Sequence, residues 1–116
     1  MKILFALIIL LTMPAHAQTI PYMDGIPAMA NFTVIDDAIM VFDKPEGQIT
    51  EISLICTNNC PTANSIQKYY QGIFETQGWN PQTNSRFLKG NQIISMDIQK
   101  GNNNDQSIVI IFRSIT

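Results

Sequence analysis

The chain has 116 residues, of which 46% are hydrophobic, and a formal net charge of −2. These values are typical of a single small domain with a modest core. The seven lysine and arginine residues stand against nine acidic ones and form no basic patch, so we expect neither nucleic acid nor an anionic membrane surface as a partner.

Residues 1–17 have the pattern of a secretory signal peptide. Lys2 supplies the charge, residues 3–11 are apolar, and Ala15-His16-Ala17 is a small-x-small cleavage site. The apolar run is too short to span a bilayer stably, and an uncleaved anchor is the alternative interpretation. We therefore expect export to the periplasm or the medium, with no membrane anchor once the peptide is removed.

Removal of this peptide takes away His16, which is the only histidine. Ser-His-Asp and Cys-His catalysis both need a histidine, and it is also the commonest zinc ligand. We therefore expect a protein that is not an enzyme, with no catalytic, cofactor or metal site.

Residues 18–37 place two prolines and a glycine between hydrophobic residues, a density that opposes regular structure. We interpret this segment as an extended N-terminal arm that lays its hydrophobic residues on a single domain formed by residues 38–116. The alternative is an arm that binds a partner. The candidate contacts of such an arm are three of its hydrophobic residues, Tyr22, Met23 and Ile26.

Two strands are predicted next, at residues 38–43 and 48–56. The turn between them is Lys44-Pro45-Glu46-Gly47, in which the proline presets φ and the glycine permits a tight end. The strands should therefore form a hairpin. Alternation in the second strand puts three side chains on one face, Ile52, Leu54 and Cys56.

Residues 61–79 have the only sustained helical period in the sequence. Five hydrophobic side chains recur at helical spacing and share one face, namely Ile66, Tyr69, Tyr70, Ile73 and Phe74. Gly78 suits the left-handed position after the last turn, so that Trp79 can fold back on the helix. The candidate N-caps are three polar residues, Asn59, Thr62 and Asn64.

This aromatic face is expected to pack on a sheet, because one helix cannot bury its own apolar side. Gly72 lies in the middle of the helix, and we expect it to allow a close approach to that sheet. Tyr69 lies at the margin of the face and is a further candidate for contact with a partner.

The sequence after the helix predicts a polar loop at residues 80–84 and strands at 85–89, 92–99 and 107–115. A Gly/Asn-rich loop at residues 100–105 precedes the last strand, which is the most apolar and is expected to be central or buried on both faces. The order β-β-α-β-β-β predicts an α+β fold. In this fold an antiparallel sheet of about five strands carries one helix on one face.

Three stretches together resemble a family of small exported bacterial proteins of unknown function. They are the segment P-Y-M-D-G-I at residues 21–26, the hairpin V-F-D-K-P-E-G-Q-I at 41–49, and the helix with Tyr69-Tyr70 and Gly78-Trp79. In members of that family the three corresponding stretches look like P-L-M-x-G-L, V-F-D-K-P-E-G-R-I and F-Y-x-x-x-L-x-x-x-G-W. The resemblance implies bacterial export and an α+β fold, and it carries over no catalytic residue.

Cys56 and Cys60 lie outside this pattern and are separated by three residues. In an exported chain, two cysteines this close are expected to form a disulfide between the strand and the helix. A redox pair is the alternative, although the spacing is C-x-x-x-C rather than C-x-x-C. A zinc site would lack half of its ligands.

Four carboxylates cluster near the first hairpin, Asp36, Asp37, Asp43 and Glu46. Paired acids can act as general acid and base or bind calcium, but no calcium-loop motif surrounds them, and solvated turn positions explain them better. Three hypotheses follow for the function. The first is a non-catalytic periplasmic binding or envelope-assembly module with a protein partner, the second a thiol–disulfide redox protein, and the third a secreted inhibitor or effector.

Overall fold

A computed structural model describes residues 19–101 and 106–116. The expected signal peptide and most of the loop expected at residues 100–105 lie outside the described residues. Within them the chain forms one α-helix and an antiparallel sheet of seven strands. The α+β class is therefore confirmed, whereas the expected number of about five strands is wrong.

The strands are β1 (Thr33–Val34), β2 (Met40–Lys44), β3 (Gly47–Cys56), β4 (Asn80–Thr83), β5 (Arg86–Lys89), β6 (Gln92–Lys100) and β7 (Ile108–Ile115). Helix α1 (Ala63–Thr76) connects β3 to β4, and a short 3-10 helix (Asp36–Ala38) precedes β2. The sheet order is β1-β3-β7-β6-β5-β4, and every pairing is antiparallel. β2 also pairs with β3, so β1 and β2 share one edge of that strand.

The two strands that the sequence did not predict, β1 and β4, are both short. β1 is two residues long and lies in the segment rich in proline and glycine. β4 has the sequence N-P-Q-T and replaces the polar loop expected at residues 80–84. It pairs only with β5, and such an edge position tolerates Pro81, which has no N–H to offer to a neighbouring strand.

Helix α1 follows the local signals of its sequence. Thr62 is the N-cap, and its hydroxyl accepts a hydrogen bond from the Ser65 amide at 3.2 Å. At the other end Gly78 has a φ of 91°, which glycine adopts without the penalty of a Cβ. The amides of Gly78 and Trp79 donate to the carbonyls of Glu75 and Phe74, which completes a Schellman motif.

The core lies between α1 and one face of the sheet. Ile66, Tyr70 and Phe74 are fully buried, whereas Tyr69 and Ile73 are only partly buried against the core. From the sheet, buried side chains include Ile52, Leu54, Cys56, Phe87, Ile94, Met96, Ile110 and Phe112. Full burial of each such aliphatic or aromatic side chain contributes about 2 kcal/mol.

β7 is central, between β3 and β6, but it is not buried on both faces. Ile108, Ile110, Phe112 and Ser114 are buried, and the residues between them are partly buried or exposed. We call the second face, away from α1, the open face of the sheet. No element among residues 19–101 and 106–116 packs across it as α1 does across the first.

The expected role of Gly72 is wrong. A Cβ built at this position meets no atom within 4 Å, and the residue is exposed. The glycine therefore does not bring the helix close to the sheet.

Candidate functional site

The segment expected to form an N-terminal arm contains a compact loop, which we call the Tyr22 loop (residues 20–26). Two successive turns build it, with hydrogen bonds from Met23 N to Ile20 O and from Ile26 N to Met23 O, both at 3.2 Å. A third bond, from Ile20 N to Ile26 O at 2.9 Å, closes the loop at its base. Three side chains of the loop are buried in the core and anchor these turns to it, namely Ile20, Met23 and Ile26.

Tyr22 occupies the third position of the first turn with a φ of 63°. With Pro21 at the second position, this is the pattern of a type II turn, in which the third position ordinarily holds glycine or asparagine. A positive φ is rare for a bulky residue and costs about 1–2 kcal/mol. The Tyr22 side chain is nevertheless 63% exposed.

The end of helix α1 is hydrogen-bonded to the Tyr22 loop at Gly25. Gln77 Nε2 donates to the carbonyl oxygen of Gly25 at 2.6 Å, and Lys89 Nζ donates to the carbonyl oxygen of Gln77 at 2.9 Å. The same ammonium lies 5.7 Å from the centre of the Trp79 ring, within the range of a cation–π interaction. The loop, the helix terminus and β5 therefore form one connected unit.

A cleft of about 410 Å³ opens between these elements, within the range of about 300–1,000 Å³ found for small-molecule sites. Its lining combines buried apolar residues with polar ones, and it comprises Tyr22, Met23, Asp24, Ile26, Gln77, Trp79, Lys89, Gln92 and Ile94. The sequence predicted Tyr22, Met23 and Ile26 as contacts, and the structure brings all three to this cleft. Only Tyr22 of the three is exposed.

Sequence reasoning missed the rest of the cleft, because its members come from four separate parts of the chain, the Tyr22 loop, the end of α1, β5 and β6. The one available signal was the resemblance, since two of its motifs, P-Y-M-D-G-I and Gly78-Trp79, meet here. The fourth predicted contact, Tyr69, is on α1 and does not line this cleft. Its ring instead packs edge-on against Tyr70 at 4.9 Å between ring centres.

Tyr70 anchors the N-terminal segment to the helix. Its hydroxyl accepts a hydrogen bond from the Met29 amide and donates one to the Pro27 carbonyl, both at 2.9 Å. Burial raises the pKa of this hydroxyl above its ordinary value, although the hydrogen bond from Met29 acts in the opposite direction. The neutral hydroxyl is thus the form that the fold requires.

A second feature lies at the β2–β3 hairpin, which is confirmed by the pairing of Met40–Lys44 with Gly47–Glu51. All five residues of β2 are exposed, including Met40 at 43%, Val41 at 40% and Phe42 at 50%. Pairing with β3 uses one edge of β2, and among the described residues no strand pairs with the other. We call this free edge the β2 edge.

The side chains of β2 reach both faces of the sheet. Val41 lies opposite Thr50, which is buried on the helix side, and Phe42 lies opposite Ile49 on the open face. From Phe42 an apolar row continues across the open face through successive strand pairs, and its members are Phe42, Ile49, Ile115, Ile93 and Leu88. The β2 edge is therefore continuous with an apolar band on that face.

Cys56 and Cys60 form a disulfide that joins the end of β3 to the approach to α1. Their Cα atoms are 5.8 Å apart. Cys56 is fully buried and Cys60 is partly buried. The bond is thus packed against the core, which fits a structural link between strand and helix.

The four acids singled out in the sequence do not form one site. Asp36 and Asp37 are exposed in the 3-10 helix, Asp43 lies in β2, and Glu46 lies in the hairpin turn. Asp43 Oδ1 accepts a hydrogen bond from Gln48 Nε2 at 2.9 Å. Among the described residues, no three acidic, cysteine or histidine side chains come close enough to hold a metal ion.

No helix within residues 19–101 and 106–116 has the length and apolar character needed to cross a bilayer. No family model matches the chain, and no curated protein or solved structure was found to be similar to it. The resemblance to exported bacterial proteins therefore rests on the quoted motifs.

Proposed function

We propose that this chain is a non-catalytic binding module of the bacterial cell envelope, exported to the periplasm or the medium, and that the β2 edge binds an extended segment of a protein partner. The observation that carries the proposal is the exposure of three consecutive apolar residues, Met40, Val41 and Phe42, on a free strand edge.

Such an edge presents unpaired backbone N–H and C=O groups, to which a further strand can add. Proteins commonly protect an exposed edge with charges, proline or a very short strand. In β2 the charges are confined to Asp43 and Lys44 at the hairpin tip, and the apolar part has no such protection. Burial of each apolar side chain by a partner would contribute about 1 kcal/mol or more.

The alternation of side chains indicates what the partner should look like. Val41 is on the helix side of the sheet, and Met40 and Phe42 are on the open face. A strand added to this edge would place its alternate side chains beside each set. The expected partner segment is therefore extended and carries apolar residues two positions apart.

The two other hypotheses are weaker on this geometry. Thiol–disulfide exchange requires an accessible sulfur, and burial of Cys56 does not favour it. A secreted inhibitor or effector would also use a protein-binding edge, so its distinction from an envelope module depends on the identity of the partner.

The test is site-specific photocrosslinking of the full chain in its own host. Phe42→p-benzoylphenylalanine should yield a crosslinked protein, whereas Lys68→p-benzoylphenylalanine, at an exposed position on α1, should not. When Val41→Lys is combined with the crosslinking residue at position 42, the crosslink should be lost. The melting temperature should not fall, because position 41 is already exposed.

Three outcomes would contradict the proposal. Equal yields at positions 42 and 68 would show that the contact is not specific. A crosslinked mass of twice the chain would indicate that the edge pairs with a second copy. Intact-mass spectrometry of the fractionated protein bears on export, since a chain that retains Met1 in the cytoplasm would contradict an envelope role.

A further inference from the structure

The conformation of Tyr22 is unfavourable. The hydrogen bonds of its turn hold the backbone in place, but no contact of the Tyr22 side chain offsets the cost of the positive φ. Its φ of 63° falls where glycine or asparagine is ordinarily found. Its side chain is mostly exposed and makes no hydrogen bond or ring contact with any residue in 19–101 and 106–116. Since backbone strain of this kind clusters at binding sites, the ring is better explained by contact with a ligand than by folding.

The cleft beside Tyr22 has an apolar floor and a polar rim. Met23, Ile26, Trp79 and Ile94 are buried and form the floor. The rim is formed by polar side chains, Asp24, Gln77, Lys89 and Gln92. A purely apolar ligand would cover the Asp24 carboxylate and the side-chain carbonyl oxygens of Gln77 and Gln92 without offering them a hydrogen bond.

The rim contains one carboxylate and one ammonium, so it does not select for a strongly charged ligand. Lys89 already donates to the Gln77 carbonyl and lies over the Trp79 ring. A phosphate or carboxylate ligand would face the Asp24 carboxylate, and a cationic ligand would face Lys89. The charge balance therefore favours a neutral ligand.

The rim keeps both acceptors and donors free. Gln77 and Gln92 each use one N–H of Nε2, on the Gly25 carbonyl and the Ser114 hydroxyl, which leaves the second N–H and the side-chain carbonyl oxygen of each. The Asp24 carboxylate accepts no hydrogen bond from the described residues. A complementary neutral ligand must therefore both donate and accept hydrogen bonds, as hydroxyl groups do.

We propose that this cleft binds one unit of a saccharide. The exposed Tyr22 ring provides a flat apolar surface for the C–H face of the sugar, and Asp24 and the two glutamine carbonyls accept hydrogen bonds from its hydroxyl groups. The cleft borders β5 and β6, and the strands β3 and β7 separate it from β2. The inference is therefore independent of the protein-binding role of the β2 edge.

The protein carries its own probe, because Trp79 is the only tryptophan and lies in the cleft. The full chain is first applied to a glycan array of neutral oligosaccharides, including those of N-acetylated amino sugars. Maltotriose, cellotriose and N,N′,N″-triacetylchitotriose are then titrated while Trp79 fluorescence is followed. At least one saccharide should bind and change the emission, and two cationic compounds, lysine methyl ester and Nα-acetyl-lysine amide, should not.

Tyr22→Gly should weaken binding at least tenfold while the melting temperature stays the same or rises. The matched control is Asn31→Gly. Asn31 has a φ of 73° and does not line the cleft, so this variant should keep full affinity. Asp24→Ala should also weaken binding, without unfolding the chain, because Asp24 is exposed.

Absence of binding across the array would overturn the proposal, and so would unchanged affinity in Tyr22→Gly. Binding of the lysine derivatives in place of sugars would replace the saccharide with a cationic ligand and would equally contradict it. None of these results depends on the crosslinking at position 42, so failure of one proposal leaves the other open to its own test.

Discussion

Replacement of Tyr70 by phenylalanine should loosen the N-terminal segment from the domain. The change keeps the ring, which packs at 5.0 Å from Phe112 between ring centres, and removes only the hydroxyl. The Met29 amide and the Pro27 carbonyl then lose their 2.9 Å partner. An unpaired buried backbone group costs about 1–3 kcal/mol, and because the site is only partly buried we expect a loss of about 2 kcal/mol in total.

The pH dependence gives this prediction a second readout. Burial raises the pKa of the Tyr70 hydroxyl, so the unfolded chain loses this proton first as the pH passes about 10. The folded state then binds more protons than the unfolded state. The free energy of unfolding therefore falls by about 1.4 kcal/mol per pH unit from this group alone.

Tyr70→Phe has no such proton. Below pH 9 its free energy of unfolding should therefore be about 2 kcal/mol lower than that of the wild type, and this difference should shrink above pH 10 and vanish near pH ~11.5. Urea unfolding at a series of pH values measures the difference, and the melting temperature of the variant at neutral pH should be lower by roughly 8 °C or more.

The matched control is Tyr69→Phe, because the Tyr69 hydroxyl makes no hydrogen bond to the described residues and the residue is only partly buried on the same helix. It should change stability by less than about 0.5 kcal/mol. If Tyr69→Phe lost as much stability as Tyr70→Phe, or if the Tyr70→Phe deficit did not change up to pH 11.5, the reasoning from the anchored hydroxyl would be refuted.

Three further predictions concern stability and can be measured by urea or thermal unfolding. Gly78→Ala should lower the free energy of unfolding by about 1–2 kcal/mol because of the left-handed φ at this position. Gly72→Ala should raise it by about 0.5–1 kcal/mol because the added Cβ enters open space. Equal effects of the two substitutions would contradict the helix-cap assignment. Cys56→Ser/Cys60→Ser should stay folded and lose about 2 kcal/mol, and a reduced wild type as stable as the oxidised one would argue for a redox role. Trp79→Ala should cost about 3 kcal/mol or more, since its ring packs at 5.8 Å from Phe74, and an unchanged melting temperature would refute its place in the core.

The helix could be predicted closely because its signals are local. The residues of its apolar face all lie in one segment, and the adjacent residues Gly78 and Trp79 complete the C-terminal motif. The hairpin before it was equally local, because the turn residues and the two strands are adjacent in the sequence. Such signals need no knowledge of the rest of the chain.

β1 and β4 could not be predicted in the same way, because a neighbouring strand stabilises each of them. Thr33 and Val34 are extended opposite Ile55 and Leu54, about twenty residues away. Pro81 and its polar neighbours have low strand propensity, and they form a strand because β5 offers a free edge. The order of the strands likewise depends on contacts between distant segments.

The sequence predicted the position of β2 but not the exposure of its side chains. A helix of 14 residues spans about 21 Å, whereas a strand of 10 residues spans about 33 Å. One helix therefore does not extend over the hairpin partner of β3, and Val41, on the helix side of β2, stays exposed. Met40 and Phe42 are exposed for a different reason, because they lie on the open face, which α1 does not cover. The sequence M-V-F by itself suggests a buried strand.

The candidate cleft was beyond sequence reasoning for a different reason. The composition of residues 20–26 indicates turns, but nothing in it shows that Tyr22, rather than Gly25 alone, takes a positive φ. Nor does the sequence show that Gln77 and Lys89 reach the loop. The site depends on side chains that meet only after the helix has packed on the sheet.

The three motifs of the resemblance contain both residues that folding explains and residues that it does not. Gly47 closes the hairpin where a Cβ would lie 1.7 Å from the Thr116 carbonyl oxygen, and Tyr70 and Gly78 hold the N-terminal segment and the helix end. Folding gives no such reason for an exposed phenylalanine at position 42 or an exposed tyrosine at a strained position 22. Because a solvent-facing apolar side chain adds little to stability, we infer that these two residues serve binding, at two separate places on the same scaffold.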